Sequence, residues 1–440
     1  MTKNLKTLLL LPALYAGIAL SAQDKKELTL DSAISMSLQH SGQMRLSKAR
    51  IEEADALLKQ AEQRKLPDAS VSGSYVHLSS ANVDLKTQNS SGGSSAPPKI
   101  SQAMYGILNA SLPIYAGGRI NYGIEAAQLL EKAARLDAEN DKAEVIQTTV
   151  EAFINLYKTR QVVSLVQANL SQTQQRVKDL SNLEQNGLIA RNDLLRAQLQ
   201  SSNTELALLD AENNKTLSNT AVVLLLGLPD QTEVIPDSTV FNTSIEMKSL
   251  DEFLQNARNA RNDRAALDLK KKAAETGIRS AKGEYYPNLS LTGGYIAANI
   301  PKFVTITNAV NIGIGVNYNI ASLWKTKAKI RQAQAKADQL KFAEGMLDDK
   351  IKMEVNQAYL AWLSSRKKTD VYAFAVDQAT ENYRITKNKF DNTLASVQDL
   401  LDADVLLLQT KLNDAMSKAD VLLTWHRLLK SAGAAEKLTK

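Results

Sequence analysis

Few residues in this chain could do covalent chemistry. Histidine occurs three times, at His40, His77 and His426, in separate segments and without the short spacing that seats a metal ion. Cysteine is absent, which excludes a thiolate nucleophile, a disulfide framework, a thiolate metal site and an acylated N-terminal cysteine. Serine and the carboxylates are plentiful, but they form no nucleophile motif. No enzyme activity, cofactor or metal is expected. Two carboxylates do stand out by position. Asp399 and Asp402 are three apart, so a helix would carry both on one face. An aspartate at a helix start ordinarily caps it or lies in solvent. Their setting, NTLASVQDLLDAD from residue 392, matches NGLIARNDLLRAQ at 186–198 with a constant offset of 206. Asn186/Asn392, Leu188/Leu394, Asp193/Asp399, Leu194/Leu400, Leu195/Leu401 and Ala197/Ala403 coincide. The elements that would position these two copies decide what the residues can do.

The 206 offset extends beyond that motif. It also pairs Ala152-Phe153 with Ala358-Tyr359, Arg160 with Arg366, and Ala127-Gln128 with Ala333-Gln334. Earlier in each half the offset is 220, pairing Ala61 with Ala281, Pro67 with Pro287, Gly73 with Gly293 and Tyr75 with Tyr295. A self-match at fixed offset marks a repeated unit. The change of offset falls in a loop, 79–101 in the first copy and 298–308 in the second, where insertions are tolerated. The chain therefore divides into a first repeat at 23–228, a linker at 229–249, a second repeat at 250–430 and a tail at 431–440. Each repeat is expected to hold a helix of about 35 residues (30–66, 250–286), a strand pair (68–115, 288–320), and a long helical hairpin with its tip near 186–192 or 392–398.

In 309–320, Val310, Ile312, Ile314, Val316, Tyr318 and Ile320 alternate with Asn and Gly, a period of two that reads as a strand. Leu289, Leu291, Tyr295 and Ala297 form the matching face upstream, with Val71, Tyr75, Met104, Leu108, Ala110, Leu112 and Ile114 in the first copy. Such faces suit either a soluble sandwich or a barrel whose apolar side meets lipid. The helices tip the balance. No proline interrupts 114–228 or 302–440, and Arg119–Gln185 alone would extend roughly 100 Å. No compact domain uses such a helix. Leu156, Val163, Leu170 and Val177 recur every seven residues, a coiled-coil seam. The motif copies then fall where the chain reverses. Gly187 is suited to end a helix in a left-handed conformation, with Asn192 or Asp193 capping the next. In the second copy Thr393 replaces that glycine. Asn392 is expected to take the helix-ending position, with Ser396 or Asp399 as cap.

Residues 1–22 carry Lys3 and Lys6, an apolar run Leu8–Leu20 and small residues at Ser21-Ala22, the pattern of a secretory signal peptide. The run is too short for a transmembrane helix. The formal charge of +6 comes from interleaved Lys/Arg and Asp/Glu without a basic block, which argues against nucleic-acid binding.

A strand pair, a long helix, a Gly-Leu-x-x-x-x-Asp-Leu-Leu-x-Ala tip and a returning helix, all written twice, resemble the TolC-like outer-membrane efflux family. The Pro-x-x-Ser-x-x-Gly-x-Tyr segment at 67–75, echoed at 287–295, and Leu-Gly-Leu-Pro at 226–229 add to the likeness. It covers nearly the whole mature chain. The resemblance implies a mostly α fold with a β-barrel. Antiparallel coiled-coil hairpins would form a periplasmic tunnel, and four strands from each chain of a homotrimer would close a twelve-stranded outer-membrane barrel. The lipid-facing strand residues would be Val71, Tyr75, Leu108, Leu112, Leu289, Leu291, Tyr295, Ile312, Ile314, Val316 and Tyr318, with a belt formed by 227–250 and the C-terminal tail. It implies export of small molecules or polypeptides in a tripartite efflux or type I secretion system, with a periplasmic adaptor and an inner-membrane pump as partners. It assigns Asp399 and Asp402 to the pore constriction. It assigns Asn186, Gly187, Leu188, Ile189, Ala190, Asn392, Leu394 and Ala395 to adaptor docking. Ala395 departs from the pattern, since many members carry a basic residue there. A non-conducting trimeric coiled-coil adhesive protein is the alternative.

Overall fold

The computed structural model describes residues 25–81, 100–242, 248–301 and 303–434. The signal peptide, most of the 79–101 loop, part of the belt segment and the last residues of the tail lie outside these. In chain order the elements are β1 Lys25–Leu28, α1 Leu30–His40, α2 Gly42–Gln63, β2 Asp68–Ala81, β3 Ile100–Ala116, α3 Arg119–Gln185, α4 Arg191–Leu226, β4 Glu233–Pro236, α5 Leu250–Ala260, α6 Asn262–Lys282, β5 Asn288–Ile300, β6 Val304–Asn317, α7 Ser322–Asp391 and α8 Val397–Ser431. Short 3-10 turns occupy Thr239–Asn242 and Gly283–Tyr285. Two compact units result, and each draws segments from both sequence halves.

One unit comprises Met1–His40, Thr148–Ile245 and Ser365–Leu423 and holds both hairpin tips. Its core runs along the heptad seam: Leu156 and Leu170 are buried and Val163 and Val177 half-buried, with Val166 and Leu180, each three residues after a seam position, buried beside Val222, Val223 and Leu226 from α4. α4 ends at Gly227, whose φ of +66° is left-handed. A Cβ there would come within 2.7 Å of the His40 imidazole, so both backbone and space require glycine. Beyond it, β4 pairs in parallel with β1, Lys25 opposite Glu233 and Leu28 opposite Pro236. β4 falls in the 229–249 linker, and its partner β1 comes from the start of the first repeat.

The other unit comprises Ser41–Gln147, Glu246–Ser364 and Thr424–Lys440 and holds one antiparallel sheet in the order β2-β3-β5-β6. The strands are 14, 17, 13 and 14 residues long, enough to cross a bilayer when tilted. Away from the sheet, Phe253, Trp362 and Trp425 pack as an aromatic cluster, with ring centroids 5.3–6.1 Å apart.

Three expectations need correction. The 30–66 and 250–286 stretches are each two helices, not one. Ser41 breaks the first, its side chain accepting from Met44 N at 3.4 Å. Arg261 breaks the second with φ −75° and ψ 121°. Its guanidinium reaches Asp263 and Glu354 at 2.7 Å, contacts that a continuous helix would not present. β6 ends at Asn317, so Tyr318 and Ile320 lie beyond the ladder and the alternating pattern outruns the strand. In β3, Ile114 drops out of the alternation. Pro113 has no N–H for the ladder, a bulge follows it, and Tyr115 stands opposite Leu289 instead.

Candidate functional site at the hairpin tips and the sheet

The two tips close with the same hydrogen bonds. In the first, Leu188 N donates to Leu183 O at 2.9 Å and Gly187 N to Glu184 O at 2.8 Å. In the second, Leu394 N donates to Lys389 O at 2.7 Å and Thr393 N to Phe390 O at 2.9 Å. This pair of bonds is the Schellman closure, which satisfies carbonyls that the helix end leaves open. The shared asparagines extend it: Asn186 Nδ2 donates to Asn182 O, and Asn392 Nδ2 to Asn388 O, both at 2.7 Å. The left-handed residue is Gly187 in one copy, with φ +71°, and Thr393 in the other, with φ +57°. Asn392 therefore does not take the helix-ending position, and a β-branched residue carries strain there. The hydroxyl of Thr393 donates to Asn392 O at 2.7 Å.

The helix starts differ between the copies. α4 is entered through Ala190, which offers no side-chain cap. Asp193 is not the cap; it sits in the first turn, where its N–H donates to Ala190 O, and its charge there complements the helix dipole. α8 is entered through Ser396. Its Oγ accepts from Asp399 N at 3.2 Å, while Asp399 Oδ2 accepts from Ser396 N at 2.9 Å. This is a reciprocal capping box. Hydrogen bonds from the Ser396 hydroxyl and amide hold the Asp399 carboxyl below the usual aspartate range. Asp402, one turn on, is exposed and accepts from Gln398 Nε2 at 2.8 Å.

Leu180, Leu194, Ala197, Val397 and Leu401 form one buried cluster, with Val177, Leu183, Ile189 and Phe390 against it. Both tips are thereby joined in a single apolar plug. Ile189 is half-buried in it, whereas Leu188 and Leu394 stand 69% and 77% exposed at equivalent positions. Farther up the helices lies a polar network that sequence reasoning missed. Arg176 on α3 bonds Asp404 on α8 and Tyr383 on α7, both at 2.8 Å, with the ion pair buried. Asn169 and Gln172 complete the shell around Asp404 at 3.4 and 3.2 Å. Burial opposes the Arg176 charge, and the bonds to Asp404 and Tyr383 more than offset it. The sequence signal was a charge on the apolar side of each helix: Arg176 adjoins seam residue Val177, and Asp404 follows buried Ala403.

In the sheet, the register sorts side chains by face. Val71 stands opposite Leu108, Leu108 opposite Tyr295, and Tyr295 opposite Val310. Leu112 stands opposite Leu291, Leu291 opposite Ile314, and Leu289 opposite Val316. Tyr75 and Ile312 fall on the same face, opposite Met104 and Gly293. The other face carries Ser70, Asn109, Gly294 and Asn311 in one cross-strand row.

The outer membrane efflux protein family model matches residues 33–228 and 253–434. The chain belongs to this family and is an outer-membrane efflux component. Export, not adhesion, is the reading that this membership supports. It is 23% identical to the outer membrane efflux protein BepC of Brucella suis biovar 1 (strain 1330), over 98% of this chain and 91% of BepC. It is 24% identical to nodulation protein T of Rhizobium leguminosarum bv. trifolii, over 86% of this chain and 79% of that protein. The fold is similar to that of the Vibrio cholerae outer membrane protein VceC, with a TM-score of 0.78 at 18% identity, covering 92% of this chain and 96% of VceC.

Proposed function

We propose that three copies of this chain close a twelve-stranded barrel in the outer membrane, and that their long helices continue it as a periplasmic conduit. The carrying observation is the register, which gathers most apolar side chains of the four strands on one face and leaves the other mainly small and polar around the Ser70, Asn109, Gly294 and Asn311 row, with Ile107 opposite Ile296 as an apolar pair on that second face. The outer sides of β2 and β6 have no neighbour among the described residues. Four strands cannot close on themselves, and an open edge is not tolerated in lipid. Pairing of β6 with β2 of a second copy removes every edge. The apolar row from Val71 to Val316 then meets lipid, and the Ser/Asn/Gly row meets water.

Conduction needs no covalent step. Asp399 and Asp402 of three chains form a ring of carboxylates at the periplasmic constriction, which favours cations. The tip loops, through Asn186–Ala190 and Asn392–Ala395 with Leu188 and Leu394 outermost, dock a periplasmic adaptor that links the conduit to an inner-membrane pump. Exposed leucines at matching tip positions support this, because apolar side chains at a turn otherwise face water at a cost. The two repeats, the linker at 229–249 and the tail from 431 divide the chain as its sequence suggests.

The test is reconstitution of detergent-purified protein in planar bilayers. A trimer that conducts ions is expected; a monomer, or a silent trimer, overturns the proposal. For docking, a photo-crosslinker at position 188 is expected to capture an adaptor protein in cells. The same probe at exposed Leu209 on α4 is expected to capture none.

A further inference from the structure

The end of the sheet where β2 begins and β3 ends has a composition of its own. Tyr115 lies on the apolar face, opposite Leu289. Tyr286 precedes β5, Tyr318 follows β6, and Trp324 lies in the first turn of α7, 64% exposed. All four positions come to one end of the strands, and the chain is knitted there. A Cβ on Gly117, just after β3, would overlap the carbonyl of Gly283, before β5. Arg119 at the start of α3 bonds Asn288, and Lys329 of α7 grips both carboxylate oxygens of Glu284 at 2.7–2.8 Å. The aromatic positions are therefore rigidly placed. Tyrosine and tryptophan gather where hydrocarbon gives way to headgroups, because one end of each ring is apolar and the other polar.

Directly beyond the aromatics stand Arg64 and Lys65 before β2, Lys282 at the end of α6, and Lys325 and Lys327 in the first turns of α7. All five are exposed, and none has an ion pair among the described residues. The carboxylates Glu284 and Glu125 are already taken by Lys329 and Arg279. A collar of excess basic charge remains beside the aromatics, five unpaired cations against the exposed carboxylates Glu62 and Asp68. Elsewhere Lys/Arg and Asp/Glu are interleaved.

We infer that this collar binds the anionic glycerophospholipid headgroups of the leaflet facing the helices, concentrating phosphatidylglycerol-type lipid around the base of the barrel. Lysine and arginine near a bilayer surface each attract anionic lipid, an effect that adds over several charges and fades within a Debye length. The inference rests on the proposal that the sheet spans the membrane.

Trp324 provides the readout, since Trp362 and Trp425 are the only other tryptophans and a Trp324→Phe protein supplies the difference signal. The full-length protein is reconstituted in vesicles of equal phosphatidylglycerol and phosphatidylcholine, with bromine on the chains of one lipid or the other. Quenching of Trp324 is expected to report roughly fivefold enrichment of phosphatidylglycerol or more, as a single such charge would give. The enrichment is expected to fall towards one in a protein carrying Arg64→Gln, Lys65→Gln, Lys282→Gln, Lys325→Gln and Lys327→Gln. Raising salt to about 0.5 M with the unaltered protein has the same expected effect and does not depend on that variant folding. Equal quenching by both lipids in the unaltered protein at low salt overturns the collar while leaving the spanning sheet intact. Enrichment that persists both in the variant and at high salt also overturns it. No quenching of Trp324 by either lipid overturns the spanning sheet itself.

Discussion

At the scale of single residues, the second tip separates two roles that the sequence places on one aspartate. Asp399 serves in the capping box with Ser396, and its charge belongs to the proposed constriction. Asp402 has no part in the cap. Ser396→Ala is expected to cost about 1 kcal/mol of helix stability and to leave conductance unchanged. Asp402→Ala is expected to raise conductance and lower cation selectivity with no change in thermal stability, and Asp399→Ala to do both. Bilayer recordings paired with melting curves check all three; identical recordings for Asp402→Ala and the unaltered protein sink the constriction. Because the Asp399 carboxyl titrates below the ordinary range, its cap is fully present above the normal aspartate pKa and is lost as pH falls through the lowered value. Thr393 offers a second test. Glycine there relieves left-handed strain, and Thr393→Gly is expected to slow protease cleavage at the tip, consistent with a gain of about 1 kcal/mol. The equivalence of the two motifs was legible from coincidences at one offset, among them Asn186/Asn392, Leu188/Leu394 and Asp193/Asp399. What was not legible was that the backbone pattern would impose φ +57° on a threonine, because closure bonds from Leu394 and Thr393 outweigh local preference.

At the scale of elements, the long helices followed from the absence of proline and the seven-residue seam, and α3 spans the expected Arg119–Gln185. Their breaks did not, because Ser41-Gly42 and Arg261-Asn262-Asp263 are helix-start signals inside an otherwise continuous apolar rhythm, and rhythm dominated the reading. The Arg176–Asp404 pair was also missed, since its partners are 228 residues apart and meet only after α3 and α8 pack. Removing one partner of a buried pair strands the other charge. Asp404→Ala is expected to cost about 3–5 kcal/mol, whereas Arg176→Met combined with Asp404→Leu is expected to be near neutral. A double-mutant cycle by denaturant melts checks this, and additive single costs would contradict it. His426, buried near the end of α8, has its pKa pushed down by burial to about 4. A histidine buried neutral contributes stability that is fully present above its unfolded pKa and is lost as pH falls from about 6.5 towards 4. The loss is expected to approach roughly 3 kcal/mol per chain, and His426→Phe is expected to flatten the melting temperature across that window.

At the scale of the whole molecule, the alternation in β6 was readable because Val310, Ile312, Ile314 and Val316 are each followed by Asn or Gly, while the pairing of β3 with β5 could come only from the fold. Ile312→Lys, on the apolar face, is expected to cost about 2–4 kcal/mol per chain if it lies near mid-bilayer. Asn311→Lys, one residue away on the other face, is expected to be tolerated. The yield of heat-resistant oligomer in outer-membrane fractions checks both, and equal yields would contradict the face assignment. The pairing of β1 with β4 has a further consequence, one that concerns time. Lys25 must wait for Glu233, so the first described strand has no partner until 208 more residues have emerged. Were the chain to emerge as it is synthesised, at roughly 5–20 residues per second, that wait would last about 10–40 seconds. Assembly cannot then proceed from one end to the other. Lys25–Leu28 remains without its strand partner through that interval.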